Sequence, residues 1–145
     1  MTVAAKTSFG AELWMAVSGG SLAKVAELKS LTPPKHSRGT IDVTTHDSPA
    51  GAREFITEGV YDTGEVSGSI HYIAGSAGDD AMLTAVTGGA KHDFKVVLKS
   101  AADTEDLEFE GFVTEYGPDD QPVEGVQMAS FTVKVSGAIA QAATA

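Results

Sequence analysis

Tyr61-Asp-Thr-Gly-Glu-Val-Ser-Gly-Ser-Ile-His-Tyr-Ile73 decides the class of the fold. Val66, Ile70 and Tyr72 share one parity, with Gly68 between them, and Glu65, Ser67, Ser69 and His71 take the other. Successive side chains of a strand point to opposite faces. The segment therefore reads as an antiparallel strand with one buried face and one wet face. Working outward, Phe94, Val96 and Leu98 repeat the pattern against Lys95 and Lys99. In Asp106 to Tyr116, Leu107 and Phe109 oppose Asp106, Glu108 and Glu110. Beyond Gly111 the phase slips, because Phe112 and Tyr116 fall on the acidic parity, and a β-bulge at Gly111 would restore a single apolar face. Val123 to Ser136 carries apolar residues on both parities and reads as a long closing strand, covered on both faces for part of its length.

Toward the N-terminus, Glu12 to Val17 and Ala23 to Leu28 flank Gly19-Gly20 and read as a hairpin, which Pro33-Pro34 ends. Thr40 to Thr45 alternates polar and β-branched residues. Asp47-Ser-Pro-Ala-Gly51 is a loop signal, and residues 45–60 read as one long loop without structure of its own. A single helix interrupts the strands. Ser76-Ala-Gly-Asp79 is a variant capping box, with Asp79 and Asp80 in the first turn. Met82, Ala85 and Val86 form its apolar stripe, and Gly88-Gly89 stops it. The helix is expected to plug one end of a β-sandwich. The ends, residues 1–10 and 137–145, read as an N-terminal arm and an Ala-rich C-terminal tail that frays or docks on a neighbour. With 145 residues and no internal linker, the expectation is one domain spanning 1–145, mainly β, a β-sandwich or half-barrel with one flanking α-helix.

Composition narrows the chemistry. The chain contains no cysteine, which excludes a disulfide scaffold, a thiol nucleophile and any Cys-ligated metal. No apolar run approaches the roughly 18 residues of a membrane helix. The first ten residues lack the apolar segment of a secretory signal, so the protein reads as soluble and made in the cytoplasm. His36, His46, His71 and His92 have no i, i+4 metal spacing and no HExxH context. His46-Asp47-Ser48 holds the residue types of a triad, but three adjacent side chains do not aim at one another. There is no GxSxG or GxGxxG, and Gly88-Gly89-Ala90-Lys91 lacks the Gly-Lys-Ser/Thr ending of a phosphate loop. Asp79-Asp80 is a helix start and Asp119-Asp120 a turn between Pro118 and Pro122. No catalytic residue, cofactor or metal is expected.

Ten basic and twenty acidic residues give a net charge of −10. The two signs are segregated. Five bases and two acids lie up to Ile41, one base and four acids in 42–60, no base and four acids in 61–90, and four bases and ten acids in 91–145. A chain of this balance does not bind nucleic acid by neutralising phosphates. It is suited either to staying in solution or to passing near a polyanion without sticking.

Ile41-Asp-Val-Thr-Thr-His-Asp-Ser-Pro-Ala-Gly-Ala-Arg-Glu-Phe-Ile56 resembles the major tail tube proteins of long-tailed bacteriophages, as does Asp62-Thr-Gly-Glu-Val-Ser-Gly-Ser-Ile-His-Tyr72. In that family a strand ending in D-V-T-T leads to a D-S-P loop, an acidic-aromatic stretch and a strand of alternating small polar residues. Phe109-Glu-Gly-Phe-Val-Thr114 and Phe131-Thr-Val-Lys-Val-Ser-Gly137 resemble the family's closing hairpin, so the likeness spans residues 10–137. Related tubes occur in gene transfer agents and contractile tails.

The resemblance implies a structural virion protein with no catalysis. Six copies would close into a ring with a ring-shaped inner β-barrel, and rings would stack into a hollow tube through which DNA passes without specific binding. It implies assembly in the bacterial host cytoplasm and a place in the virion tail. The implied partners are further copies of the chain, a tail terminator, a baseplate or distal tail protein and a tape-measure protein, with no membrane. The implied ring-stacking loop is residues 45–60, with His46, Asp47, Ser48, Pro49, Arg53, Glu54, Phe55 and Ile56. The lumen candidates, by parity and charge, are Asp42, Thr44, Glu65, Ser67, Ser69, Glu108 and Glu110. Three other readings stay open: a single-ring tail terminator or baseplate β-sandwich, an enzyme or small-ligand barrel, and an acidic carbohydrate- or receptor-binding module.

Overall fold

Nine strands and one α-helix follow one another along the described residues of the computed structural model, 9–16, 22–25, 28–100 and 103–143. The strands before the helix are β1 (Glu12–Ala16), β2 (Leu22–Lys24), β3 (Leu28–Thr32), β4 (Thr40–Asp42), β5 (Phe55–Thr57) and β6 (Glu65–His71). Helix α1 (Ala77–Gly88) precedes β7 (His92–Ser100), β8 (Asp103–Pro118) and β9 (Met128–Ala143). Seven strands form one antiparallel sheet in the order β2-β1-β7-β8-β9-β6-β3, while β4 and β5 pair only with each other. The Gly19-Gly20 turn expected between β1 and β2 lies outside the described residues.

The alternation of β6 is realised: Val66 and Ile70 are buried, and Glu65 is exposed. They join Leu13 and Met15 of β1, Phe94 and Val96 of β7, Leu107 and Phe109 of β8, and Phe131 and Val133 of β9 in one core. Side chains from so many strands of one sheet reach a common cluster because the sheet curls, as twisted sheets do. Helix α1 closes that cluster with Ala81, Met82 and Ala85. The Ser76 hydroxyl accepts the Asp79 N–H at 3.2 Å, and Gly89 ends the helix in the left-handed region. Both caps are those the sequence signals. The Tyr116 O–H donates to Asp79 Oδ1 at 2.5 Å and ties the helix start to β8. Burial first, and then the Asp79 carboxylate, push the Tyr116 phenol above its ordinary pKa.

Four expectations are corrected. Ala23 to Leu28 is not one strand: β2 ends at Lys24 and pairs with β1, whereas β3 starts at Leu28 and lies at the opposite edge, on β6. Residues 45–60 are not structureless, because a 3-10 turn at Pro49–Gly51 and strand β5 fall inside them. The last strand starts at Met128, not Val123, and runs through Gly137 to Ala143, where an Ala-rich tail was expected. Residues 119–127 are therefore a loop, clamped by Ser130 Oγ to both Asp119 carboxylate oxygens at 2.8 and 2.9 Å.

The phase slip in β8 is real but sits three residues later than Gly111. Val113 pairs with Val133 and Glu115 with Thr132, so Thr114 is the extra residue that turns Tyr116 inward. A second irregularity lies on β9 near Gly137, whose φ is +84°. Gly111 stays in the ladder, opposite Val135 and His92. Its role is close approach: a Cβ there would stand 2.6 Å from the Lys134 carbonyl oxygen. Gly111→Val is expected to destabilise by about 3 kcal/mol, the cost of overpacking a fixed backbone contact. Gly137→Val meets open space and costs about 1–2 kcal/mol, from positive φ alone. Thermal melts of both variants check this, and the reverse order contradicts it.

At the other side of the sheet, Glu12 accepts from Lys99 Nζ at 2.9 Å, Lys24 Nζ at 3.2 Å and Trp14 Nε1 at 3.2 Å, which links β1, β2 and β7. The Lys99 ammonium first, then Lys24 and the Trp14 N–H, hold its carboxyl down at about 2. A depressed carboxylate contributes stability above its unfolded pKa and loses it as pH falls through the folded value. With both lysines half-exposed, the contribution is about 1 kcal/mol. Glu12→Gln should lower the melting temperature at pH 7, and the gap should shrink as pH falls from about 4.5 toward 2, where the wild-type carboxyl is half protonated. An equal gap at both pH values contradicts this.

Candidate functional site

Alternation that buries one face of the sheet leaves the other polar, and pairing across strands sets what that face presents. Glu65 lies opposite Lys134, Ser67 opposite Thr132 and Ser69 opposite Ser130. On the far side of β9, Glu110 faces Ser136 and Phe112 faces Lys134. One strand further, Lys95 lies opposite Glu108, and Lys91 Nζ stands 3.3 Å from Glu110 Oε2. Lys95 also sits over the Trp14 ring at 5.0 Å. Five of the seven lumen candidates, Glu65, Ser67, Ser69, Glu108 and Glu110, are thus brought onto one face. The lysines opposite them, on the neighbouring strands, are what parity and charge along single strands did not reveal. Register is the missing signal, since β6 and β9 are far apart in sequence. The face mixes hydroxyls and lysine–glutamate neighbours with further acid, since Asp93 lies directly opposite Glu110 and Lys134 Nζ bonds Asp62 at 3.2 Å.

Asp42 and Thr44 are placed elsewhere. The chain between Ser37 and Asp62 leaves the sheet as an arm, closed at its base by a Ser37–Asp62 bridge and further out by the β4–β5 ribbon. Asp42 Oδ2 pairs with Arg53 Nη1 at 3.2 Å, and Asp42 Oδ1 accepts the Thr44 N–H at 2.9 Å. The Thr44 hydroxyl accepts the Glu54 N–H at 2.8 Å, and the Ser48 hydroxyl accepts the Thr45 N–H at 3.0 Å. Bonds to Thr44, and then to Arg53, lower the Asp42 pKa. These contacts shape the tip that carries His46, Asp47, Ser48, Pro49, Arg53 and Glu54, with Phe55 and Ile56 beginning the return strand. All eight proposed stacking residues therefore share one element with Asp42 and Thr44.

The arm buries almost nothing of its own. Phe55 is 54% exposed, Ile56 53% and Val60 76%, and Ile41, Val43 and Tyr61 are exposed as well. At its root the Arg38 guanidinium lies 5.4 Å from the Tyr61 ring centroid and Nη1 donates to the Glu58 carbonyl. A two-stranded ribbon is marginal in water on its own, and an apolar patch of this kind marks a contact surface. Among the described residues, no group of three or more His, Asp or Glu side chains is placed to hold a metal ion, and no helix is long and apolar enough to cross a membrane.

Comparison with known proteins bears on the fold and the family. No curated protein sequence matches the chain significantly. Its fold is similar to a protein of the virion of a native gene transfer agent particle, with a TM-score of 0.75 and 16% identity over 95% of this chain and 99% of that one. It is similar to a chain of the six-fold symmetrised anti-feeding prophage baseplate, with a TM-score of 0.78 and 8% identity over 98% and 97%. It is similar to the SPP1 tail tube protein, with a TM-score of 0.62 and 15% identity over 90% and 75%. At such identities the likeness speaks for the fold. The sequence itself matches the family model of the lambda phage tail tube protein across residues 7–142, nearly its whole length, and the chain belongs to that family of structural tail proteins.

Proposed function

We propose that this chain is the repeating subunit of a hollow tail tube: six copies close into a ring, rings stack through the arm, and the genome passes down the bore during delivery. The observation that carries the reading is the arm between Ser37 and Asp62, which exposes Phe55, Ile56 and Val60 on a ribbon without a core. Such an element is stable only when covered, and stacking of identical subunits covers it in every copy. Ring closure would likewise cover the short edge strand β2, which otherwise offers unpaired backbone groups.

The polar face of β6, β9 and β8 suits the bore. Hydroxyls and lysine–glutamate pairs leave few unmatched groups to grip a base or a phosphate. The net charge of −10 per chain repels DNA at ranges up to about 8 Å at physiological salt. In this reading the ends of the tube meet a tail terminator and a baseplate protein, a tape-measure protein fills the bore before DNA does, and assembly takes place in the host cytoplasm of a phage or gene transfer agent producer.

Negative-stain microscopy of the concentrated protein tests the reading. Tubes of stacked rings are expected. Single rings that never stack would favour a terminator or baseplate role instead, and monomers at all concentrations would contradict both.

A further inference from the structure

The curl of the sheet leaves a seam. Strand β3 at one edge faces the end of β7 and residues 9–11 across a groove of about 970 Å³. Leu28, Leu31, Pro33 and Leu98 line it, with Lys29 and Lys99 among the same lining residues. Leu28, Leu31 and Leu98 pack against the core from one side and remain half-buried. Among the described residues β3 is bonded to β6 alone, which leaves its other edge toward the groove. Apolar lining, basic side chains and an open strand edge together describe a receptor for an acidic, apolar strand.

We infer that this groove receives the arm of a second copy of the chain, with Phe55 and Ile56 entering between Leu31 and Leu98 and the arm's carboxylates meeting Lys29, while Lys99 stays bonded to Glu12. The inference rests on the tube reading and names the surface that the arm seeks. Charge complementarity supports this occupant. Residues 42–60 hold one base and four acids, whereas the chain up to Ile41 holds five bases and two acids. Within the arm Asp42 is paired with Arg53, and among the described residues Asp47, Glu54 and Glu58 show no ion pair with a base. Between subunits the segregation of sign sets the acidic ribbon of one against the basic edge of the next, which fixes direction: each arm points into a groove, and head-to-head stacking brings arm against arm and repels. Such opposed charges steer encounter and suppress wrong registers more than they add affinity.

The native chain has no cysteine, so introduced thiols report cleanly. One preparation carries Lys29→Cys, and a second, enlarged by a tag so that the two run separately, carries Phe55→Cys. Both sites are exposed. Mixed, assembled and mildly oxidised, they should form a mixed disulfide in tubes and none in the unassembled protein. Lys29→Glu should lower tube yield about tenfold, corresponding to about 1.4 kcal/mol, and Glu54→Lys on the same chain should restore it. Tubes that form without the Lys29–Phe55 link, or a Lys29→Glu chain that assembles as well as wild type, overturn the groove assignment and leave the tube reading standing. A disulfide from Lys29→Cys to Thr7→Cys within one chain would instead give the groove to the chain's own N-terminal segment and would also overturn the inference. Absence of any assembled form in wild type would defeat the tube reading itself.

Discussion

Replacing Phe55 and Ile56 together with serine is expected to abolish tube elongation while leaving the subunit folded. Both side chains are about half exposed, so the isolated chain loses little. Surface changes of this kind stay within about 0.5 kcal/mol. Covering the remaining apolar surface of both in an assembly is worth about 2 kcal/mol per subunit, and a ring repeats the contact in every copy, so the loss multiplies at each junction. The expected result is an unchanged melting temperature with rings or monomers in place of tubes. Amide exchange gives the same test without mutation. The β4–β5 ribbon should exchange fast in the unassembled protein and slowly in the tube, because a ribbon with no core opens at little cost. Equal protection in both states contradicts an assembly role for the arm.

The second large effect concerns charge on the sheet face. Glu65, Glu108 and Glu110 each have a lysine across a strand or in ion-pair reach: Lys134, Lys95 and Lys91. Changing all three to glutamine removes the carboxylates without placing like charges opposite one another, and it leaves Lys95 and Lys91 without these partners, whereas Lys134 keeps Asp62 at 3.2 Å. The face loses three negative charges, and Lys91 and Lys95, freed of these partners, become available to neutralise phosphates. Tubes should form in normal yield, because the three positions are exposed. DNA should then be retained in the bore, delivery should fall by about tenfold or more, and retention should weaken steeply as salt rises. Full delivery with intact tubes would put the face on the outer wall. Lost tubes would put it at a subunit interface.

Much of this was legible in the chain. Period-two alternation gave β6 and β7, because a strand with one buried face must alternate. The caps of α1 were readable because Ser76, Asp79 and Gly89 act within a few residues of one another. What could not be read depends on partners remote in sequence. Val123 and Val126 are apolar but exposed, so hydrophobicity alone started β9 too early, whereas pairing with β8 carries it through the alanines to Ala143. The bulge was expected at Gly111 because glycine is the usual sign of one. The residue actually displaced is Thr114, and Gly111 is needed for the nearby Lys134 carbonyl. The seam and the lysine–glutamate matching arise only from register. Asp42 and Thr44 were grouped with the sheet face by parity, yet β4 belongs to the arm and never enters the large sheet.

In the tube reading, copies of this chain enclose a bore lined by the outward residues of β6, β9 and β8. A helical cryo-electron microscopy reconstruction of tubes assembled from the wild-type protein tests it most directly. Six-fold rings are expected, in which Glu65, Lys134 and Glu110 point to the channel and each Ser37–Asp62 arm reaches an adjacent copy. Tubes with that face turned outward, or with the arms projecting free into solvent, would contradict it.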